Sequence, residues 1–433
     1  MLRRRLPASI LGTAALCGST LGCVIDLGSL DVAETDSETS TATGSPTSTG
    51  TEGADETGTG TADGSGSADD SSGSDTSGGA VVDPLELLEP GPHLGMIVGF
   101  EAPAPGTETE VDGRWNEAIA AGMDVGRIQI DWADLEPTPG VYELEDLVQQ
   151  LESLQSDGLQ VMVTLSTLDS LEYTLPEDLE DPEVELGLVG GIAFDDPVIT
   201  DRFAALLDVV VPLVVDHGGF LITVGNEPDN HFEQQPGLAT EVAGFVAAAR
   251  DHAATLDPAL AISMTLTYGS VDTHEVSQAI IDEVPVATFN LYCQGEDGSV
   301  QEPEMVAPRV AAMLDVVGDK PVVIQELGCP AGYEDGTTTI DGDLDKQARF
   351  FQAFAQQMQA DDRLRAAFVF QMLDWSPSLA ELFAQELAAL GFGQAVIDLF
   401  TESLSTTGLC RWQDVSCRPA WDSVLDAIAE FQS

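Results

Sequence analysis

Basic residues are scarce in this sequence. Of its 433 residues only 15 are Lys or Arg, against 75 Asp or Glu, and the formal net charge at pH 7 is −60. Nucleic acids and anionic lipid surfaces are bound through clustered cations, so this shortage argues against both as direct partners. The composition suits a neutral ligand, and the mutual repulsion of such acidic surfaces leads us to expect a monomer.

Cysteine is also rare, and its spacing argues against a metal site. Beyond Cys23 the chain has Cys293, Cys329, Cys410 and Cys417, none of them in the close CxxC spacing of a zinc site. We therefore expect no metal and no other cofactor. Cys410 and Cys417 flank a turn-like segment, which predicts a local disulfide. Cys293 and Cys329 can pair only if the strands before them are neighbours.

The apolar run at the N-terminus is too short for a confident membrane span. Residues 1–22 begin with basic residues and continue with apolar and small ones, which is typical of an export signal. The stretch "TLGC", ending at Cys23, resembles a bacterial lipobox. That resemblance implies a lipid on Cys23 as the protein's only attachment to the bacterial membrane or cell surface. The alternative is ordinary signal-peptidase cleavage nearby, which gives a secreted protein.

The segment 24–83 lacks the composition needed for a core. It consists mainly of Ser, Thr, Gly, Ala and acidic residues, and its central part, 31–80, contains no Lys or Arg. We predict a disordered, extended spacer that holds the remaining residues, 84–433, away from the membrane as one folded domain.

Short apolar runs alternate with helical patterns throughout 84–433. The expected strands are 93–100, 125–132, 159–166, 219–226, 260–267, 286–293, 321–328 and 366–373. Their nearly continuous apolar character is typical of buried parallel strands. Eight strands alternating with helices predict an α/β fold, the (β/α)₈ TIM barrel. An open doubly wound sheet is the alternative, but no Gly-rich phosphate loop follows the first strand, which argues against a nucleotide-binding version of it.

Two predicted loops are unusually long. Residues 167–195 follow the third strand, and residues 374–417 follow the eighth and include short helices. Both lie at the carboxyl-end face, where barrels carry their sites, so we expect them to form the walls of a cleft.

Two carboxylates end strands on this same face. Glu227 follows the fourth strand in "ITVGNEPDN", and Glu326 ends the seventh in "KPVVIQELGCP". Retaining glycoside hydrolysis requires such a pair: one carboxylic acid protonates the leaving oxygen while the other carboxylate attacks the anomeric carbon. The two carboxyl groups lie about 5–5.5 Å apart in enzymes that use this mechanism.

With Asn226-Glu227-Pro228 after strand four and Glu326 after strand seven, nearly the whole folded part resembles clan A of the glycoside hydrolases. The resemblance implies Glu227 as acid/base and Glu326 as nucleophile. It also implies Arg127 beside the nucleophile and Asn226 as a ligand of the sugar 2-hydroxyl.

Aromatic residues extend the resemblance. In "FNLYC", Tyr292 corresponds to the hydroxyl that orients the nucleophile, and Trp375 to the aromatic floor beneath the sugar. Trp132 is either barrel core or the wall of a substrate subsite.

The sequence departs from the clan after strands one and three. Many members have His or Asn after strand three, where this chain has Thr164, Ser166 and Thr167. Phe100 and Glu101 take the place of a usual polar contact after strand one. These positions leave the sugar, the linkage and the family within the clan open.

Together these features predict a surface-anchored, retaining O-glycoside hydrolase acting on a β-linked oligo- or polysaccharide. The rival prediction is a barrel that binds a glycan or another partner at the cell surface without turnover.

Overall fold

The structure is a computed structural model that describes residues 83–432 except 171, 185, 233, 296, 297, 335, 336, 338 and 390. The predicted export signal, the lipid-attachment residue Cys23 and almost all of the predicted spacer lie outside the described residues. Within the described part, no helix is both long and apolar enough to cross a membrane.

Eight parallel strands form the centre of the fold. Their order in the sheet is β1-β8-β7-β6-β5-β4-β3-β2, which is the cyclic order of a barrel. The strands are β1 (His93–Met96), β2 (Val125–Asp131), β3 (Gln160–Ser166), β4 (Gly219–Asn226), β5 (Ala261–Thr267), β6 (Ala287–Tyr292), β7 (Val322–Gly328) and β8 (Leu364–Val369). The predicted (β/α)₈ barrel is confirmed.

The barrel closes where β1 lies against β2. A Cβ built on Gly95 would come within 2.5 Å of the Val125 carbonyl oxygen, so glycine permits the close approach of the two backbones. The eighth strand ends earlier than predicted. After Val369 the regular ladder ends, although Phe370 N–H still donates to the Leu327 carbonyl oxygen and Met372 N–H to the Ile97 carbonyl oxygen.

Helices cover the outside of the barrel. They are α1 (Glu108–Ala121), α2 (Trp132–Leu135), α3 (Glu145–Ser156), α4 (Pro197–Asp216), α5 (Pro236–Leu256), α6 (His274–Glu283), α7 (Val306–Val317), α8 (Leu344–Ala360), α9 (Pro377–Ala389), α10 (Gln394–Thr406) and α11 (Pro419–Phe431). Helix α4 begins as predicted. The Asp196 carboxylate accepts from Val198 N–H, and Pro197 occupies the first helical position.

The barrel interior is apolar at one end and polar at the other. At the amino end, Leu85 and Leu88, from the segment preceding β1, belong to one apolar cluster with Val125, Met162 and Phe220. At the carboxyl end, the interior carries buried threonines and charged groups. The segment before β1 thus seals the bottom, and the polar side chains lie at the carboxyl-end face.

The predicted Cys410–Cys417 disulfide is present, and so is the Cys293–Cys329 disulfide that the sequence left conditional on neighbouring strands. Cys293 follows β6 and Cys329 follows β7, and these strands are hydrogen-bonded neighbours, so the two sulfurs meet at 2.01 Å. Cys410 and Cys417 are joined across seven residues. The loop after β8 contains α9 and α10, two helices of 13 residues each, and is more regular than the short helices predicted for it.

Candidate active site

β-bulges carry both predicted catalytic residues to the barrel rim. In β4, Thr223 pairs with Ser263 and Asn226 with Thr265, so β4 has one extra residue before its end. Between β6 and β7 the register shifts in the same way, and Gln325 is the additional residue immediately before Glu326. A bulge redirects the side chains around it. As a result, neighbouring residues at the ends of these strands reach into the same polar network.

Glu227 follows β4 in a backbone conformation that few residues adopt. Its φ is 54°, in the left-handed region, and its N–H donates to the Thr265 carbonyl oxygen at 2.8 Å. The side chain is fully buried and accepts hydrogen bonds from neutral donors. Ser170 Oγ–H donates to Oε2 at 2.9 Å, and Asn290 Nδ2 donates to Oε1 at 2.6 Å. These bonds fix the carboxyl group in one orientation.

Glu326, by contrast, has a cationic partner. Arg127 Nη1 lies 3.1 Å from Glu326 Oε1, and the Tyr292 hydroxyl donates to Oε2 at 2.8 Å. Both side chains of the ion pair are almost completely buried. A buried charge is tolerated when an opposite charge and hydrogen bonds compensate it. The predicted positions of Arg127 and Tyr292 beside Glu326 are those in the structure.

Asn290 links the two carboxylates. It is the strand partner of Glu326 in the β6–β7 register, and its amide also donates to Glu227. The same amide donates to Asn226 Oδ1 at 3.0 Å, which also accepts from Gln325 Nε2 at 2.8 Å. Thr164 donates to Gln325 and accepts from Arg127, the partner of Glu326, so both predicted catalytic carboxylates belong to one connected polar network.

The amide of Asn226 is held in place by this network. Besides accepting from Asn290 and Gln325, it donates through Nδ2 to Asp169 Oδ1 at 2.8 Å. Its binding of a sugar 2-hydroxyl remains a prediction. Gln325 is anchored in turn, because its Oε1 accepts from three threonine hydroxyls, those of Thr164, Thr223 and Thr265. Thr164, noted as a departure from the clan, thus contributes to the support beneath the site.

The aromatic residues differ in their placement. Trp375 is 3 % exposed and packs edge-on against Phe383, in the apolar cluster that also contains Tyr292 and Phe370. Phe370, not Trp375, directly follows β8, and its ring lies 5.8 Å from that of Tyr292. Trp375 is thus packed within this apolar cluster, and its stacking on a sugar remains a prediction.

Trp132 faces the helical layer. It is fully buried, its indole N–H donates to Glu136, and its ring lies 5.0 Å from Phe203 on α4. This burial agrees with the core alternative, in the layer between the strands and the helices, and the role as wall of a substrate subsite stays a prediction.

The sequence reasoning missed several residues of the network. Gln129 and Asn290 carry a detectable signal, because each lies two residues from a predicted site residue and so on the same face of its strand. Asp169 and Ser170 carry none. They reach the site because the chain after β3 forms a small hairpin, Leu168–Asp169 with Glu172–Tyr173, that docks on the end of β4.

Acidic residues of the hairpin, of the end of β2 and of the following loop form one wall. A cavity of about 420 Å³ is lined by Asp131 at the end of β2 and by Glu172 and Glu180, among others. Burial, with further effects from neighbouring acidic groups, raises the pKa of each of these three carboxyls to about 7. This wall is therefore partly protonated near neutral pH.

Comparison with known proteins bears on the fold. No protein-family model and no curated protein sequence matches the chain. Solved structures do. A GH5_18 protein from Streptomyces cattleya, in complex with GlcNAc, is 17 % identical with a TM-score of 0.59, and the match covers 79 % of this chain and 81 % of that one.

Two further structures are similar. A GH5_18 variant from Bifidobacterium longum, in complex with Manβ1-4GlcNAc, is 16 % identical, with a TM-score of 0.56 over 79 % of this chain and 78 % of that one. The exo-β-1,4-mannosidase Op5Man5 from Opitutaceae bacterium strain TAV5 is 16 % identical, with a TM-score of 0.57 over 79 % of this chain and 59 % of that one. At such low identity the likeness establishes fold. The chain has the barrel fold of clan A glycoside hydrolases, and the resemblance predicted from its sequence is confirmed at that level.

Proposed function

We propose that the protein is a retaining glycoside hydrolase that cleaves O-glycosidic bonds in a β-linked oligo- or polysaccharide. The observation that carries the proposal is the contrast between two buried carboxylates of one network. Glu326 is paired with Arg127 and Tyr292, whereas Glu227 is held by Ser170 and Asn290. A double displacement needs one ionised carboxylate as nucleophile and one carboxylic acid as proton donor.

The proposed reaction has two steps. In the first, a Glu326 oxygen bonds to the anomeric carbon, the glycosidic C–O bond breaks, and the Glu227 proton passes to the leaving oxygen. In the second, water attacks the anomeric carbon, Glu227 takes a proton from that water, and the ester to Glu326 breaks. The Arg127 cation and the Tyr292 hydroxyl stabilise the negative charge of Glu326 before attack and after its release.

The structural neighbours suggest which substrates to try first. Solved complexes of two of them contain Manβ1-4GlcNAc and GlcNAc, and a third is named an exo-β-1,4-mannosidase. On this ground we propose a carbohydrate substrate and place β-mannosides at the head of a panel of aryl β-glycosides and β-glycans.

Covalent trapping tests the assignment. An activated 2-deoxy-2-fluoro glycoside of the sugar that the panel identifies should glycosylate Glu326 through its anomeric carbon, with departure of its leaving group, and peptide mass spectrometry should find the sugar on that residue. A label on any other residue, or hydrolysis unchanged in Glu326→Ala, would contradict the proposal. Tight glycan binding with no product across the panel would favour the non-catalytic alternative.

We also propose that the protein is lipid-anchored at Cys23, which rests on the signal-like N-terminus and "TLGC". Mass spectrometry of the N-terminal peptide of the membrane-bound protein should find a diacylglyceryl group on Cys23, and Cys23→Ala should release the protein from the membrane fraction. An unmodified, soluble wild-type protein would instead support secretion.

A further inference from the structure

Ser170 places a third carboxyl group one hydroxyl away from Glu227. Ser170 Oγ lies 2.9 Å from Glu227 Oε2 and 3.3 Å from Asp169 Oδ1, so the same hydroxyl contacts both carboxyl groups. Asp169 is almost completely buried, and neither the sequence motif nor the double displacement described above uses it.

We propose that Asp169 and Glu227 share a proton through the Ser170 hydroxyl, and that Asp169 is the positioning residue that retains on the pair the proton which Glu227 delivers as the general acid. The proposal rests on the proposed function and assigns the regulation of its acid. Only the location of the proton and the direction of the Ser170 O–H bond change.

The proton count at Ser170 supports this role. A hydroxyl donates one hydrogen and accepts others. When Glu227 is ionised, Ser170 donates to it. When Glu227 is protonated, its own O–H can donate to Ser170 Oγ while Ser170 donates to Asp169. The same hydroxyl serves the other location of the proton, because a protonated Asp169 can donate to Ser170 Oγ while Ser170 donates to an ionised Glu227.

The three groups are held rigidly. Asp169 Oδ2 accepts from Gln129 Nε2 at 2.7 Å and Oδ1 accepts from Asn226 Nδ2 at 2.8 Å. Ser170 N–H donates to the Asn226 carbonyl oxygen at 3.0 Å, and His231 Nε2 donates to the Ser170 carbonyl oxygen at 2.7 Å. With both flanks fixed, rotation of the Ser170 hydroxyl is the motion that redirects the hydrogen bond.

The same network reaches the nucleophile. Gln129 accepts at its Oε1 from Arg127 Nη2 at 2.6 Å, and Arg127 contacts Glu326. Asp169 therefore lies between the two proposed catalytic carboxylates, joined to one through a hydroxyl and to the other through an amide and a guanidinium.

Several titratable groups surround the pair. Around Asp169 they are Arg127, Asp131, Glu172 and Glu326, and in the turn after Glu227 they are Asp229 and His231. Acidic groups dominate, so ionising both members of the pair together is unfavourable.

The electrostatics of Asp169 agree with a shared proton. Burial raises the pKa of Asp169 to about 8, with the negative charges of Asp131 and Glu326 adding to the effect and the hydrogen bond from Asn226 and the charge of Arg127 opposing it. Two carboxyls coupled in this way lose their protons in steps that belong to the pair. The pair then retains one proton near neutral pH.

The pH profile of kcat/KM provides the kinetic test, because its basic limb reports loss of the essential acid proton from the free enzyme. Asp169→Asn has no carboxylate at this position and so removes the negative charge that disfavours ionisation of Glu227. We therefore expect its basic limb to move to lower pH by on the order of one unit. Ser170→Ala should shift it in the same direction. Glu172→Gln, the matched control from the same hairpin, should shift it clearly less.

Carboxyl titration separates this proposal from the proposed function. In protein labelled with ¹³C at the Glu carboxyl carbon, Glu227→Gln identifies the Glu227 signal, and its titration midpoint should fall in Asp169→Asn and in Ser170→Ala. Unchanged midpoints, or an equal change in Glu172→Gln, would overturn the shared proton. If Asp169→Asn does not fold, Ser170→Ala decides. A wild-type protein that hydrolyses no glycoside refutes the proposed function, while the NMR result still decides the shared proton.

Discussion

Glu326 and Glu227 are both almost completely buried, yet their carboxylates are bound by different kinds of group. Glu326 contacts the Arg127 cation, whereas the bonds to the Glu227 carboxyl from Ser170 and Asn290 come from neutral donors. A fixed cation suits a group that must be ionised before it attacks, and a hydroxyl such as that of Ser170, which can both donate and accept, suits a group that alternates between two protonation states. The difference in surroundings is thus the physical basis for assigning different roles to two chemically identical side chains.

The largest expected effect is on the rate of hydrolysis, and its dependence on the leaving group distinguishes the roles of the two glutamates. Glu326→Gln should lower kcat on every glycoside by on the order of 10⁴-fold or more, because the nucleophile is lost. Glu227→Gln should lower kcat/KM, which reports the first step, by about 10²–10⁴-fold for a poor leaving group, and far less for a dinitrophenyl leaving group that needs no proton.

Steady-state kinetics on the two substrate types checks this difference. Glu136→Gln is the control, since Glu136 is also buried but binds Trp132 away from the site. Equal losses in Glu227→Gln for both leaving groups would contradict its role as acid.

The second prediction concerns the cation. Arg127→Met leaves the buried Glu326 charge uncompensated, and breaking such a pair costs about 3–5 kcal/mol. We expect this decrease in the free energy of unfolding, measured by urea denaturation, together with a large loss of kcat. A double variant, Arg127→Met with Glu326→Gln, should recover part of the stability. No recovery would show that the two charges are not coupled.

The third prediction concerns the neutral side of the comparison. Asn290→Ala removes donors from both Glu227 and Asn226 and should lower the free energy of unfolding by about 1–3 kcal/mol. Asn230→Ala is the matched control. Its amide lies 3.3 Å from Glu227 Oε2, so we expect a smaller effect in the same denaturation experiment. The reverse order would show that Asn290 is not the main support of Glu227.

The fourth prediction concerns pH. The pKa of Asp131 is about 7 in the folded protein and about 4 when unfolded, so between these values only the folded state holds the proton. The free energy of unfolding should therefore fall as pH rises from about 4 to about 7. Asp131→Asn should flatten this slope by on the order of 1 kcal/mol per pH unit.

Urea denaturation across this pH range measures the slope. The exposed Asp422→Asn on α11 is the control and should leave the slope unchanged. A slope that is steeper in Asp131→Asn than in the wild type would contradict the raised pKa of Asp131.

The strands, their order and the two strand-end glutamates were predictable from the sequence because they depend on local apolar runs and on one topological rule. The start of α4 was predictable from Asp196 and Pro197 for the same reason. Arg127 and Tyr292 followed from the resemblance.

The remaining part of the site depends on distant contacts. Asp169 and Ser170 reach Glu227 only because their hairpin docks on β4, and Gln325 joins the network through a bulge. No period or motif along the chain encodes either event. Trp132 shows that a Trp following a strand on the site face can pack against the helical layer.

The stereochemistry of the first-formed product tests the central claim most directly. With a β-glycoside that the wild-type protein hydrolyses, ¹H NMR of the anomeric proton in the first minutes should show the β-anomer, with the α-anomer appearing later by mutarotation. The same outcome is expected for every substrate, since both steps invert the anomeric carbon at Glu326. An α-anomer formed first would contradict the double displacement.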